Sequence, residues 1–470
     1  MDSTFENHMR KTIFLVSALI LILITACKKD SFISSPNALL SVSVDTLSFD
    51  TVFTQTGSVT GTLKIFNNND QKLRLSSVEL MGGATSPFNI NVDGTPGPSV
   101  AGVEIEPNDS AYVFVTVSIN PTSSNSPFVV RDSISINYNG TSQLVQLNAY
   151  GQNARYIKGE ILRTNTTWDN TLPYVILDGV LIEAGVTLTI QQGTRVHFHA
   201  DAPMIVDGTL TVNGTKQDSV TFQSDRLDKD YRDLPASWPG IYFRPASNGN
   251  SLKYAIIKNA YQGLIAGQAT GAFPKLSLSE CVIDNIYDAG LTGINSSIRA
   301  VNCLISNCGL NVLFANGGDY ELTHCTVASY SNVYIPHTKP VLVVSNWDST
   351  TQVNTYNMKA VIRNNIFWGD FGNVDDEVVI LRRGSNPFSV TIENSLYKAK
   401  NALNNATLVD NLVNNPPLFD SIDDNGKFYD FRINKGVSPV INKGKNLSVL
   451  FDLEGKPRDA LPDMGSYEKQ

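Results

Sequence analysis

Charge is scarce in this chain. Only 17% of its 470 residues are Asp, Glu, Lys or Arg, too few for a disordered polyelectrolyte or a coiled coil. A net charge of −8 and a pI near 5.2 leave no basic footprint, so nucleic acid is not an expected partner. Cysteine is rarer still, with five residues, which excludes a scaffold stapled by disulfides. After residue 24 no apolar run approaches the roughly 20 residues of a bilayer span. What is plentiful is Asn: 45, against 44 Asp plus Glu. Asn tolerates left-handed backbone and bonds to its own chain, so its abundance marks turns. Many turns, little charge and a length beyond one ordinary core predict a mostly β chain of two or three domains.

The N-terminus carries an address. Arg10 and Lys11 precede twelve mostly apolar residues, Ile13–Ile24, and then Thr25-Ala26-Cys27. That length suits the core of a signal peptide. The small residues before Cys27 resemble a bacterial lipobox, which implies removal of residues 1–26 and a lipid on Cys27. Lys28 in the next position resembles an outer-membrane address. The implied partner is therefore the membrane, through that lipid, with the protein facing the cell surface or the periplasm. Residues 27–36, polar and ending in Pro36, read as a tether.

Residues 37–152 read as short strands. They are expected around Leu47–Phe49, Thr62–Phe66, Leu73–Leu80, Phe88–Val92, Ala111–Ile119, Asp132–Tyr138 and Gln143–Tyr150. Val113, Val115, Val117 and Ile119 alternate, as do Ile134, Ile136 and Tyr138, and each set would put one face into a core. Seven strands without helices predict an immunoglobulin-type β-sandwich. The phrase from LSFDTVF through IEPNDSAYVFVTV to LNAYGQN resembles the hydin-type Ig-like modules of bacterial surface proteins, which are spacers or adhesive units.

Residues 153–470 are governed by a repeat. Cys281, Cys303 and Cys325 are spaced by 22 residues, and each opens a similar phrase: Cys-Val-Ile, Cys-Leu-Ile, Cys-Thr-Val. Asn285, Asn307 and Ser329 follow four residues later as expected turns. Ala255-Ile256-Ile257 with Asn259 fits upstream; Asn365-Ile366-Phe367 and Asn394-Ser395-Leu396 fit downstream. One short strand per 22 residues is the signature of a β-solenoid, whose coils stack ~4.8 Å apart. The cysteines should form a buried, unbridged ladder. A zinc site would need converging sulfurs in C-x₂₋₄-C pairs, and no metal or cofactor is expected. GVTLTIQQGTRVHF, MIVDGTLTVNGT and WPGIYF resemble right-handed parallel β-helix proteins of bacterial envelopes. So does the tail, above all Ser438-Pro439-Val440-Ile441 and Pro462–Glu468, which implies a C-terminal cap over about residues 416–470. The fold class expected is thus all-β: an Ig-like sandwich followed by a right-handed parallel β-helix.

Such helices often cleave polysaccharides, yet the galacturonase-type motifs are missing here. Asn165-Thr166-Thr167 lacks the Asp of N-T-D, and neither G-H-G nor R-I-K occurs. Asp375-Asp376 and Asp423-Asp424 are acid pairs whose neighbours point to opposite faces of a strand; they read as solvated turns. Asp423-Asp424-Asn425-Gly426 resembles a calcium loop, but Ser421 stands where its first carboxylate belongs. His197 and His199, with Asp201 near, read as an outward pair on a solvated face.

No catalytic residue is assigned. The loop Ser224–Pro239 offers the candidate ligand contacts, Tyr231, Trp238, Asp230 and Arg232, because aromatic faces flanked by charge suit sugar rings. The competing reading packs Trp238 back on the coil. The functional expectation is a non-catalytic lipoprotein binding a glycan or another envelope protein through its β-helix. The alternatives are a polysaccharide lyase or hydrolase with an unfamiliar arrangement of acids, and a purely structural envelope protein.

Overall fold

The computed structural model describes residues 31–271, 273–348, 353–423, 428–433 and 437–469. Cys27 and the segment before it lie outside the described residues, as does Asp424. Among the described residues the regular structure is β except for one 3₁₀ turn, Gly83–Thr85. It divides between Gln152 and Asn153 into two compact units.

The first unit is a sandwich of two five-stranded sheets. One holds Leu40–Val42, Gly61–Asn67, Ser110–Val117, Phe88–Val92 and Thr95–Pro96. The other holds Thr46–Phe53, Thr141–Gln152, Phe128–Tyr138, Leu73–Leu80 and Ser99–Ile105. Pairing is antiparallel except between Thr46–Phe53 and the end of Thr141–Gln152. The alternation read in the sequence is the reason for the core: Val113, Val115 and Val117 are buried with Leu63, Ile90, Ile134 and Leu147, while Tyr112 and Phe114 point outward. All seven expected strands are present. The three not expected lie at sheet edges, where burial is weakest and alternation fades; in Ser99–Ile105 it is broken by Gly102, whose φ is 71°.

The second unit is a parallel β-helix of 26 strands, from Arg155–Leu162 to Leu412–Val413, each paired in parallel with its counterpart in a neighbouring coil. Three faces result. The first stacks Val220–Ser224, Ala255–Lys258, Val282–Asp284, Leu304–Ser306, Thr326–Tyr330, Ile366–Asp370 and Leu396–Tyr397. The second stacks Met204–Val206, Ile241–Phe243, Leu264–Ala266 and their successors, and the third Thr209–Asn213, Asn250–Lys253, Leu276–Ser279 and theirs. Inward residues such as Phe222, Ile257, Ile283, Ile305 and Val327 are wholly buried. Each contributes roughly 1.5–3 kcal/mol, so stacking coils supplies a core without any helix.

Register places Cys303 between Cys281 and Cys325 on consecutive coils, all three buried and free, like Cys308. Burial and the flanking thiols push the Cys303 thiol well above its ordinary range. Past Cys325 the ladder turns polar and keeps its register. The Cys325 N–H donates to Asn365 Oδ1 (2.7 Å), that of Asn365 to Ser395 Oγ (3.0 Å), and that of Ser395 to Asn411 Oδ1 (2.9 Å). The repeat phrase expected to open at Asn394 is therefore one residue out: Leu396 pairs with Ile366, and Ser395 takes the cysteine position. The Asn excess finds its use at the corners. Of the 24 described non-glycine residues with positive φ, 13 are Asn.

The C-terminal cap lies along the side of the coils. Phe419, Phe431, Ile433, Val440, Leu453 and Met464 cover the outward side chains Leu304, Ala328, Tyr330, Ile366, Trp368 and Leu396 of the first face. Corner residues tie it down: Asn302 Nδ2 donates to Phe451 O and Asn364 Nδ2 to Lys445 O, both at 2.7 Å. At its centre Arg458 and Glu468 are buried as a pair at 2.9 Å. The guanidinium also donates to Asn302 Oδ1 (3.0 Å) and Gly465 O (2.9 Å).

Candidate functional site

One outward row on the first face changes character along the helix. Lys258 pairs with Asp284, Asp284 with Ser306, Ser306 with Ala328, and Ala328 with Trp368. The apolar end lies beneath the cap; the polar end is open. Over that end lies a groove of about 200 Å³ lined by Asp233, Lys258, Asn259, Asp284, Asn285, Asn307, Asn332, Tyr334 and Tyr429.

Its floor is the Asn ladder. Asn259, Asn285 and Asn307 have φ of 64°, 57° and 50°, a conformation Asn enters at low cost. Asn285 Nδ2 donates to Asn259 Oδ1 and to the Asp233 carbonyl, both at 2.9 Å, and Asn259 Nδ2 donates to the Arg232 carbonyl at 2.6 Å. The ladder therefore also anchors the loop that carries Asp233. Asp284 is half-buried and accepts a bond from Ser306 Oγ (2.6 Å). Burial raises its carboxyl above the ordinary 3.8, opposed by the Ser306 bond and by the Lys258 ammonium.

The walls come from one insertion between coils and from the C-terminal cap. The turn expected at Ser329 does not form: strand Thr326–Tyr330 runs on to pair with Ile366–Asp370, and the chain leaves the coil only after it. The loop that follows bends on Asn332, whose Oδ1 accepts the N–H groups of Tyr334 (2.9 Å) and Ile335 (2.8 Å). Its far end is pinned by buried His337, whose Nε2 lies 2.9 Å from Glu377 Oε1. Tyr429 arrives from the hairpin Ser421–Asp423 and Phe428–Asp430 of the cap.

Of the residues singled out in the sequence, Trp238 is corrected. It is wholly buried, stacked on Phe198 at 4.2 Å, with Nε1 donating to Lys258 O (2.9 Å). An indole that completes the core is out of a ligand's reach. Tyr231 is exposed beneath the Arg226 guanidinium (3.9 Å from its ring), and Asp230 and Arg232 are exposed beside it. None of these three lines the groove; the loop supplies Asp233 instead. His197 is also not outward on a solvated face. It is buried with Nδ1 at 3.1 Å from Ser224 O, and burial lowers it to about 4. His199 pairs instead with Asp225 at 2.8 Å, a bond that raises it above 6.5. Asp375 pairs with Lys400, while Asp376 accepts the N–H groups of Lys400 and Asn401 and is lowered by them. Lys258, Asp284, Asn332, Tyr334 and Tyr429 were not found by sequence reasoning. For the first two a signal existed, since Lys258, Asp284 and Ser306 each stand one place before a corner residue of the repeat.

Two carboxylates, one ammonium, a row of amides and two phenols converge here. Such a set can both donate to and accept from hydroxyl groups, and it carries one net negative charge when all three charged groups are ionised.

No family model matches this chain, and no curated protein does. Among solved structures, it has slight similarity to a family 123 glycoside hydrolase from Clostridium perfringens (11% identity over 27% of this chain and 31% of that one, TM-score 0.19). Two more are the seventh PapD-like domain of human CEP192 (10%, 26% and 89%, TM-score 0.18) and a protein of unknown function from Porphyromonas gingivalis W83 (9%, 27% and 60%, TM-score 0.18). The chain spans under a third of the length of the hydrolase.

Proposed function

We propose that this chain is a lipoprotein, anchored through Cys27 in an outer membrane, whose β-helix binds an uncharged glycan in the groove over the Asn ladder. One observation carries the reading: the outward row of the first face stays polar where Lys258, Asp284 and Ser306 stand, and an inserted loop and the cap bring Tyr334 and Tyr429 to that stretch. Aromatic side chains beside fixed amides and carboxylates match a sugar, which is apolar on its ring face and polar at its edge. Calorimetric titration with neutral oligosaccharides tests it. Binding should weaken by about tenfold in Tyr334→Ala, the loss of one aromatic contact; no binding to any neutral glycan refutes it. The anchor is tested separately by lipid labelling, which should disappear in Cys27→Ala.

An enzymatic reading has one observation in its favour. Asp233 and Asp284 share the groove with Lys258, and Asp284 is held above the ordinary carboxylate range, which suits a proton donor. A turnover screen on neutral and acidic polysaccharides, repeated with Asp284→Asn, separates catalysis from binding.

A further inference from the structure

On the other flank of the same corner the coils carry a second aromatic feature. Two residues beyond Asn259 and Asn285 come Tyr261 and Tyr287, 47% and 50% exposed. Their rings stack at 5.7 Å with planes 25° apart. The coil before contributes Pro239 to this row, since Trp238 pairs with Ala260. The coil after contributes Gly309, whose N–H donates to Ile286 O (3.0 Å). No side chain can stand at that position: a Cβ on Gly309 would lie 2.2 Å from Tyr287 O. Tyr287 therefore has one face on Tyr261 and the other toward a coil that offers no ring to cover it. Polar groups stand next to Tyr287 in the chain and on the neighbouring loop. Asp288 accepts from Gln262 Nε2 (2.9 Å) and lies 3.7 Å from Lys339 Nζ. Lys339 belongs to the stretch that also supplies Tyr334 to the groove.

A half-exposed tyrosine face toward a glycine, with a carboxylate next in the chain and an ammonium 3.7 Å from that carboxylate, has the chemistry of a sugar subsite. We infer that a pyranose ring of a neutral glycan stacks on Tyr287 over Gly309, as the third member of the Tyr261–Tyr287 stack, with Asp288 and Lys339 bonding its hydroxyls. The inference rests on the glycan reading of the groove and extends it around the corner, so that one chain of sugars engages both flanks.

The test titrates the full-length protein with cello-, xylo-, manno-, malto- and chito-oligosaccharides of increasing length. Tyr287→Phe keeps the ring, Tyr287→Ala removes it, and Tyr334→Ala reports on the groove. Since Tyr287 is half exposed, neither change at it should unfold the coil, and circular dichroism checks this. Support is a wild-type binder whose affinity falls about tenfold in Tyr287→Ala and less than about threefold in Tyr287→Phe, the margin expected of one stacking contact. Binding that is lost in Tyr334→Ala but untouched in Tyr287→Ala overturns this subsite and leaves the groove standing. Binding by wild type that neither alanine variant weakens overturns both. No binding by wild type overturns the glycan reading, and this inference with it.

Discussion

Replacing Arg458 with Met should release the C-terminal cap while leaving the coils folded. Arg458 and Glu468 are 1% and 3% exposed, and four acceptors surround the guanidinium: Glu468 Oε2, Asn302 Oδ1, Gly465 O and Asp463 O. Removing the cation strands a buried carboxylate, which costs about 3–5 kcal/mol. At 1.4 kcal/mol per factor of ten, the open fraction of the cap should rise by about two to three and a half orders of magnitude. The cost should depend on pH. Burial already raises Glu468 above 4.5 in the wild type, and losing the Arg458 charge raises it further. Folded Arg458→Met then holds a proton that the unfolded chain has released, so its stability falls as pH rises through the window above 4.5. Trypsin cleavage at Lys443 and Lys445, each followed by a residue other than proline, and the fluorescence of Trp368 under the cap, report the opening. Arg458→Met with Glu468→Met should close the cap again, because an apolar pair leaves no charge behind. The reasoning is refuted if Arg458→Met resists trypsin like the wild type, or if the double variant is as open as the single one.

Trp238→Ala should lose about 3–5 kcal/mol in urea unfolding, the usual range for a wholly buried aromatic, and should loosen the loop that holds Asp233; a change below 1 kcal/mol would contradict its place in the core. Lys275 is buried with Nζ donating to the carbonyls of Arg244 (2.7 Å) and Gln268 (2.9 Å), and burial lowers it from 10.5 to about 8. The unfolded chain keeps that proton longer, so stability should rise with pH between about 8 and 10.5, by up to about 3 kcal/mol. Lys275→Met should abolish the rise, measured by urea midpoints across that range. Cys281, Cys303, Cys308 and Cys325 should titrate as four thiols in denaturant and resist a thiol reagent in the folded protein; fewer than four would reveal a bridge.

The repeat was legible because a coil must place the same side chain at the same point on each turn. Three cysteines 22 residues apart therefore announced both the period and the ladder. The sandwich strands were legible for a related reason: Val113, Val115 and Val117 alternate because one side of their sheet is core. The groove was not legible in the same way. Its lining comes from Asp233, from the corners 258–307, from Asn332 and Tyr334, and from Tyr429, and only the stacking of coils brings such distant positions together. Ser329 misled because a residue at the right spacing need not turn: there the strand continues to Tyr330, against Asp370. Trp238 misled because loop composition suggested display, while the gap beside Phe198 drew the indole inward.

Residues 281–302 form one complete turn of the solenoid. They begin after Glu280 (φ 52°) and end with Asn302 at the same left-handed corner (φ 52°), and strand Leu276–Ser279 pairs with its equivalent 22 residues on. A second copy of this stretch could be spliced in without changing any junction geometry. It would bring its own cysteine, its own asparagine corner and its own tyrosine, and carry the loop with Tyr334 ~4.8 Å further from the one with Asp233. The distance between the groove's two walls is thus counted in whole turns, so duplication or deletion of 22 residues would resize the site in one step for a longer or shorter occupant.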